Sequence, residues 1–445
     1  MAEAVQASAG GKAGDRLGTG ALLSIGIGGM IGGGIFAVTG LTIELTRGAA
    51  PLAFAASGVV ALLTAWSYLK LTLRYPSAGG TVEFLNRAFG PGVFTGALNI
   101  LLCLSYVILL AVYAYAFGSY GAELFGGGET TRQILASAVL IVLAVLNFLG
   151  PHLVIRSENS LNVLKLILLA GFIAAGLLMP GEPARLAPVQ WVAPLPLLAG
   201  AMVIFLNYEG FELIANAAPQ AADPRRSMPI AYLGGVAIVL LVYMGIAAAV
   251  LLHLGFGAIA AHRDNVLSAA AQQMLGHGGA VAIVVAALAA TASAINATFY
   301  SSGRLTYLIA KYGELPEAFE HDIRNQPVEG LALFAVLALL LVNGVPLSAI
   351  AALGSAGFLL VFAAVNLANL RLARETGARP ALAAAGLVAC VLALAALCIQ
   401  VLSDAHTRWQ IGGLAALIGF SLVTELIYRR FSGRSIHMGR RTENR

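Results

Sequence analysis

Charge is scarce in this chain of 445 residues: 11% of positions are Asp, Glu, Lys or Arg, against 59% that are hydrophobic. A soluble protein carries about 25% charged residues, so polar groups cannot cover a globular surface here and a soluble enzyme is excluded. Cysteine is nearly as rare. Cys103, Cys390 and Cys398 all fall in apolar stretches, which leaves neither a disulfide framework nor a CxxC metal site and predicts ordinary packing roles. No Walker motif supports direct drive by ATP, and the seven histidines lack the HExxH spacing of a zinc enzyme. The metal or nucleophile constellation that an intramembrane enzyme needs is also missing from the sequence.

What the chain has in quantity is apolar length and glycine. Mean hydropathy is +0.86, and glycine occurs 51 times. A membrane-spanning helix takes roughly 20 apolar residues. Twelve such segments can be read, near 17 to 46, 50 to 75, 91 to 122, 131 to 150, 158 to 180, 194 to 218, 228 to 254, 278 to 310, 328 to 344, 347 to 370, 380 to 402 and 408 to 430. The run that starts at residue 17 is too long for a signal peptide and has no clear cleavage site, so it is expected to stay as the first span.

The formal charge of +5 reports orientation rather than nucleic-acid binding. With loops assigned alternately to the two sides, twenty of the 26 basic residues fall on the side of the termini and five on the other. The remaining one, Lys165, lies inside a span. The positive-inside bias therefore predicts that both termini are cytoplasmic. The basic residues after position 428 serve as a topology anchor, with contact to anionic lipid as the alternative.

Two spans are interrupted. The first reads Ser24-Ile-Gly-Ile-Gly-Gly-Met-Ile-Gly-Gly-Gly-Ile-Phe36, six glycines in thirteen positions. An interior glycine costs a helix up to about 1 kcal/mol, so this density at mid-membrane needs a cause. One candidate is close approach of a neighbouring helix through the GxxxG pairs Gly28/Gly32 and Gly29/Gly33. The other is an unwound segment lining a ligand cavity, the setting in which irregular backbone is tolerated at this depth. A dinucleotide loop is excluded, because Ile31 stands where the third glycine of GxGxxG is required and no strand precedes it. The sixth span carries Phe205-Leu-Asn-Tyr-Glu-Gly-Phe-Glu212, with Asn207, Glu209, Gly210 and Glu212 breaking an apolar run. Interrupted helices at positions one and six are the pattern of a transporter built from inverted five-helix repeats.

Gly26 to Phe36 and Tyr208-Glu-Gly-Phe-Glu212 resemble the first-helix and sixth-helix signatures of the amino acid, polyamine and organocation (APC) superfamily. Asp223-Pro-Arg-Arg-Ser-Met-Pro229, Tyr75-Pro-Ser-Ala-Gly-Gly-Thr-Val-Glu-Phe84 and Gly313-Glu-Leu-Pro316 are similar to its conserved loops. Where many members have Ala-Glu-Glu, this chain has Ala218-Pro219-Gln220, so contacts made by those acids do not carry over. The resemblance implies an all-α polytopic membrane protein of LeuT-like fold, a 5+5 inverted repeat plus two extra helices, twelve transmembrane helices in all. Its parts would be a cytoplasmic tail (1–16), a first repeat (17–180), a second repeat (194–370), two further helices (380–430) and a basic cytoplasmic tail (431–445).

The chemistry of a zwitterionic substrate suits the breaks. The N–H groups of Gly32, Gly33 and Gly34, at the start of the second half-helix, can receive a carboxylate. The carbonyls of Met30, Leu206 and Glu209 can receive an ammonium, and Tyr208 can serve as a gate or as simple packing. Lys165 stands alone in the fifth span. It either snorkels towards headgroups or, as its resemblance to proton-coupled prokaryotic amino acid transporters implies, acts as a proton switch. In the second case it would bond the carbonyls near Gly28 and the hydroxyl of Thr291 or Ser293 in the outward-facing state, and proton loss would favour inward opening.

Glu212 is a second proton site or a hydrogen-bonded strut. Glu209 favours a cationic side chain or a polyamine if it enters the pocket, and is silent about substrate if it meets polar groups on a neighbouring helix. Asn296-Ala-Thr298 fits a glycosylation pattern but lies within a span, where a helix-packing hydrogen bond is expected instead.

The function expected is proton-coupled secondary uptake of amino acids in the cell (inner or plasma) membrane. Exchange of amino acid against amine, or a receptor that does not transport, are the alternatives. Expected partners are a small-molecule amino acid, protons and membrane lipids. No nucleic acid, ATP, metal or cofactor is expected, the proton gradient supplying the energy.

Overall fold

The structure is a computed structural model that describes residues 16–149, 152–311 and 328–432. The Gly313-Glu-Leu-Pro316 loop and nearly all of both tails lie outside the described residues. Those described form helices without a β-sheet, apart from two isolated bridges.

The chain opens with α1 (Thr19–Met30) and α2 (Gly34–Thr46), which meet at 49° across a short break. α3 (Ala50–Arg74), the short α4 (Thr81–Phe89), α5 (Val93–Leu124), α6 (Glu129–Leu149) and α7 (His152–Leu178) follow. The next membrane segment starts as α8 (Pro194–Val203), tightens into a 3-10 stretch over Ile204–Tyr208, and resumes as α9 (Leu213–Ala217). Then come α10 (Pro224–Pro229), α11 (Gly235–His253), α12 (Phe256–Ala261) and the long α13 (Val266–Lys311), which kinks at Gly276. The remainder is α14 (Val328–Gly344), α15 (Leu347–Arg371), α16 (Ala373–Thr376), α17 (Pro380–Ser403) and α18 (Trp409–Ser432).

Among the described residues nine helices are long and apolar enough to cross a bilayer, and the bent α1/α2 pair makes a tenth. Two shorter apolar helices, Asn162–Leu178 and Glu329–Gly344, fall on the fifth and ninth expected spans. The outer surface is apolar where lipid would meet it: Ile141 and Val145 on α6, Leu392 on α17 and Phe420 and Val423 on α18 are exposed. The inverse holds inside. α5 is buried along most of its length, and polar side chains tie neighbouring helices together. Ser67 of α3 donates to Asn366 Oδ1 of α15 at 2.7 Å, and the Asn366 amide donates to Thr64 at 3.0 Å. Such bonds have few competitors in a membrane interior, where water is absent.

Local chemistry explains two of the loop motifs. Asp223 caps α10 by accepting from Arg226 N at 3.2 Å, with Pro224 at the first helical position, where its missing N–H costs nothing. Gly80 precedes α4 with φ of 46°, and a Cβ there would lie 2.4 Å from Asn216 Oδ1, so the second glycine of that loop has both a conformational and a steric reason.

Candidate functional site: the paired helix breaks

The two breaks meet. A Cβ on Gly29 would lie 2.9 Å from Gly210 Cα, and one on Gly210, whose φ is 120°, would lie 2.3 Å from Gly29 C. The other glycines of the first break are also packed close. Gly33 is set against Thr291 and the Tyr113 ring, Gly32 against Ala294 and Tyr113, and Gly34 against Asn207. Close approach and unwinding, offered by the sequence as rival explanations of the glycine run, are therefore one arrangement.

A cavity of about 920 Å³ lies beside the meeting point. Gly28, Gly29, Glu209, Gly210 and Glu212 line its inner end, with Tyr106 and Tyr113 of α5 and Ser293 of α13. From there it runs along the start of α1 to the loop after α3, where Pro76 and Ser77 line it, and to Arg304 and Leu308 near the end of α13. This is the end of the bundle that carries the start of the chain. Met30, Gly32, Gly33, Gly34, Leu206, Tyr208 and Thr291 do not belong to its lining.

Several groups expected to face a ligand have protein partners. The Tyr243 hydroxyl of α11 lies 2.6 Å from the Met30 carbonyl and 2.9 Å from the Asn207 carbonyl, so one O–H bridges the two breaks. The Leu206 carbonyl accepts from Glu209 N at 3.2 Å, while Leu206 N donates to Ser355 of α15 at 3.1 Å. The Tyr208 hydroxyl donates to the Phe54 carbonyl at 2.7 Å, in space left by Gly58. The Thr291 hydroxyl turns back on its own helix and donates to Ala287 O at 2.7 Å.

Lys165 is 2% exposed, and its Nζ donates to the Gly28 carbonyl at 3.1 Å. Asn162, one turn earlier on α7, fills the space where a Gly28 side chain would be. Glu212 accepts from the Tyr106 hydroxyl at 3.0 Å and from Gly210 N at 2.7 Å, which pins the sixth-helix break. Glu209 is 1% exposed, and neither of its carboxylate oxygens has a hydrogen-bond partner. Asn296 accepts from the Asn147 amide of α6 at 2.7 Å, the helix-packing bond that its position within a span predicts. Among the described residues no cluster of His, Cys, Asp and Glu could hold a metal ion.

Tyr243, Tyr106 and Ser355 bear on the breaks although nothing in the sequence singles them out. Each is a hydroxyl in a largely apolar helix with no motif around it.

At the opposite end the break is covered. The segment Arg263–Asn265 lies on α2 so closely that a Cβ on Gly40 would be 2.0 Å from the Arg263 carbonyl. Tyr115 at the far end of α5 donates to Asp264 at 2.9 Å, and Arg263 approaches Glu44 of α2 at 3.5 Å.

Comparison with known proteins places this architecture. The model of the family described as amino acid permease matches residues 17–420. The chain is 32% identical over 416 residues to an uncharacterised protein of Methanocaldococcus jannaschii, covering 93% of this chain and 95% of that one. It is 31% identical over 416 residues to the inner membrane transport protein YbaT of Escherichia coli, covering 92% and 95%. With the serine/threonine exchanger SteT of Bacillus subtilis it shares 25% identity over 301 residues, 66% of this chain and 68% of that one. Packed helix breaks, an apolar exterior and these relatives agree: the chain belongs to the amino acid permease family of the APC superfamily, and is a multi-pass membrane transporter of amino acids, not an enzyme.

Proposed function

We propose that the protein imports amino acids by alternating access, coupled to protons, with substrate held where the first and sixth helices are interrupted. The observation that supports this most is the Lys165 ammonium on the Gly28 carbonyl at 3.1 Å. A lysine buried among membrane helices needs a compensating partner, and a helix break supplies a carbonyl for it. Protonated, Lys165 ties α7 to α1. On losing its proton it loses the charge that strengthens the tie. The link coexists with a cavity that reaches the start of α1, so the link by itself does not close that end. What proton loss changes is the cohesion of α7 with α1.

In this reading the entry to α2, Gly32 and Gly33 ahead of the helix and Gly34 at its first position, receives the substrate carboxylate, since half-helix N-termini carry donors and positive partial charge. The ammonium is taken by carbonyls of Met30, Leu206 and Glu209. A carbonyl has two lone pairs, so the contacts to Tyr243 and Glu209 N leave room for it. Glu212 and Ser293, which line the cavity, act as gating contacts there, while Tyr208, bonded to the Phe54 carbonyl, and Thr291, bonded to its own helix, brace the helices around that point. Both termini lie in the cytoplasm, as the basic residues indicate, and the cavity faces the cytoplasm.

In proteoliposomes with an inward proton gradient, Lys165→Met is expected to lose pH-driven accumulation of amino acids while keeping substrate binding in detergent. Undiminished accumulation in that variant would remove the lysine from the mechanism. The resemblance to a serine/threonine exchanger favours a second reading, exchange, in which Lys165 fixes a state without carrying protons. Uptake that requires a counter-substrate inside the vesicle, and does not follow the pH gradient, would select it.

A further inference from the structure

The cavity beside the breaks differs in charge between its two ends. The charged side chains of its lining are Glu209 and Glu212 at the inner end and Arg304 towards the mouth. Glu212 is engaged by the Tyr106 hydroxyl and Gly210 N, and the oxygens of Glu209 are closed to water, so neither acid is a partner of Arg304. Arg304 also differs from the basic residues that set the topology. It lines the cavity, and α13 runs on to Lys311, about 10 Å beyond it at the helical rise per residue.

The Arg304 guanidinium donates to the Tyr300 hydroxyl, one turn earlier, at 2.7 Å and lies 5.6 Å from the centre of that ring. A guanidinium carries five N–H donors. Among the described residues no carboxylate pairs with it, and none of its nitrogens is closed to water without a partner. The unused donors therefore open into the cavity. The other polar side chains of this stretch, among them Ser77, Asn216, Gln220 and Ser301, are uncharged. A planar carboxylate fits such a fork through two parallel N–H···O bonds.

Distance separates this position from the breaks. Tyr300, to which the guanidinium reaches back, lies about 10 Å along α13 from Ser293 at the inner end. In an α-amino acid the ammonium and the carboxylate share one carbon. A molecule whose ammonium is held at the breaks cannot place its carboxylate on Arg304. The cavity, at about 920 Å³, has the volume of a pocket for a ligand larger than one small amino acid.

We propose that Arg304 forms a second station, which takes the carboxylate of an amino acid on its way between the helix breaks and the cytoplasm. The assignment rests on the reading that substrate is held at the breaks and that this cavity is its cytoplasmic route. Because the opposite end is covered by Arg263–Asn265, loss of the station is felt from the cytoplasmic face.

The test uses the full-length protein in inside-out and right-side-out membrane vesicles without a pH gradient. The labelled probe is whichever of L-alanine, L-serine, L-leucine and L-arginine the wild type carries fastest. Arg304→Gln is expected to raise the half-saturating concentration at the cytoplasmic face about tenfold or more, the scale of a hydrogen bond to a charged group, and to leave that at the outer face unchanged. Arg304→Lys, which keeps the charge without the fork, should recover part of the loss. N-acetyl-L-alanine, a carboxylate without an ammonium, gives a second measurement on the wild type: it should inhibit from the cytoplasmic face and not from the outer one. Equal shifts at both faces in the glutamine variant, or none, overturn the station. If that variant does not fold, N-acetyl-L-alanine decides, and inhibition from neither face or equally from both overturns it. In these cases transport through the breaks stands, whereas carriage of none of the four amino acids defeats the transport reading as well.

Discussion

The two helix breaks are made by opposite means. Between α1 and α2 the chain removes side chains, and the space of each missing one is taken by a neighbour: Asn162 at Gly28, Gly210 at Gly29, Tyr113 and Thr291 at Gly33, Asn207 at Gly34. Between α8 and α9 one glycine suffices, and the break is defined by buried polar side chains, Asn207, Glu209 and Glu212. The first break thus lends backbone to the site, and the second lends charge. It follows that the first should be intolerant of bulk and the second intolerant of altered hydrogen bonding.

The largest effect is expected where the two meet. Gly210→Ala places a Cβ 2.3 Å from Gly29 C and 2.5 Å from Met30 N, backbone atoms that have no rotamer to escape into, on a residue at a φ of 120°. Uptake should fall to background, with a steep loss of monodisperse protein by size exclusion. Normal yield and transport in that variant would mean that the breaks are not held at this contact. A middle-sized effect belongs to Tyr243→Phe, which deletes the hydroxyl bridging the Met30 and Asn207 carbonyls. Loss of such a buried bond costs about 1 kcal/mol or somewhat more. The variant should melt several degrees lower and transport more slowly, and an unchanged melting temperature would show that the two breaks do not depend on the bridge. Least affected should be Asn296→Ala. It removes the 2.7 Å bond from Asn147 on the wall of the cavity, where neither residue touches the contact between Gly29 and Gly210, and interhelical bonds in membranes average only about 0.6 kcal/mol. Uptake should persist, and its abolition would move Asn296 from packing into the binding site.

The sequence showed the breaks more clearly than it showed their surroundings. Six glycines between Ser24 and Phe36 violate helix propensity so strongly that a break there was legible, and Glu209 and Glu212 violate hydropathy in the same way. Lys165 was legible for that reason too, and its reach to Gly28 follows from a single long side chain. Tyr243 and Ser355 violate nothing, because a hydroxyl in an apolar helix is common, and only the crossing of α11 and α15 with the breaks gives them a role. The sequence also offered no means of telling that the Thr291 hydroxyl would satisfy its own helix at Ala287, a choice made by a side-chain rotamer. Nor could it orient Glu209, whose two placements differ by side-chain torsions alone.

One backbone contact bears on how the pair of broken helices can travel. Leu17 N donates to the Gln220 carbonyl at 2.8 Å, and the Leu17 carbonyl accepts from Ala222 N at 2.9 Å. With Gly29 resting on Gly210, the front half of helix one is fastened to the back half of helix six at both of its extremities. From Leu17 to Gly29 is about 18 Å at the helical rise per residue, a rod held by two pins. A rod pinned twice can neither slide along its mate nor tilt against it, so the two halves swing as a single lever. The number of residues between the pins is then a fitted dimension: one inserted before Gly26 would turn Gly28 and Gly29 by about 100° relative to Leu17, so that the two pins could no longer form together.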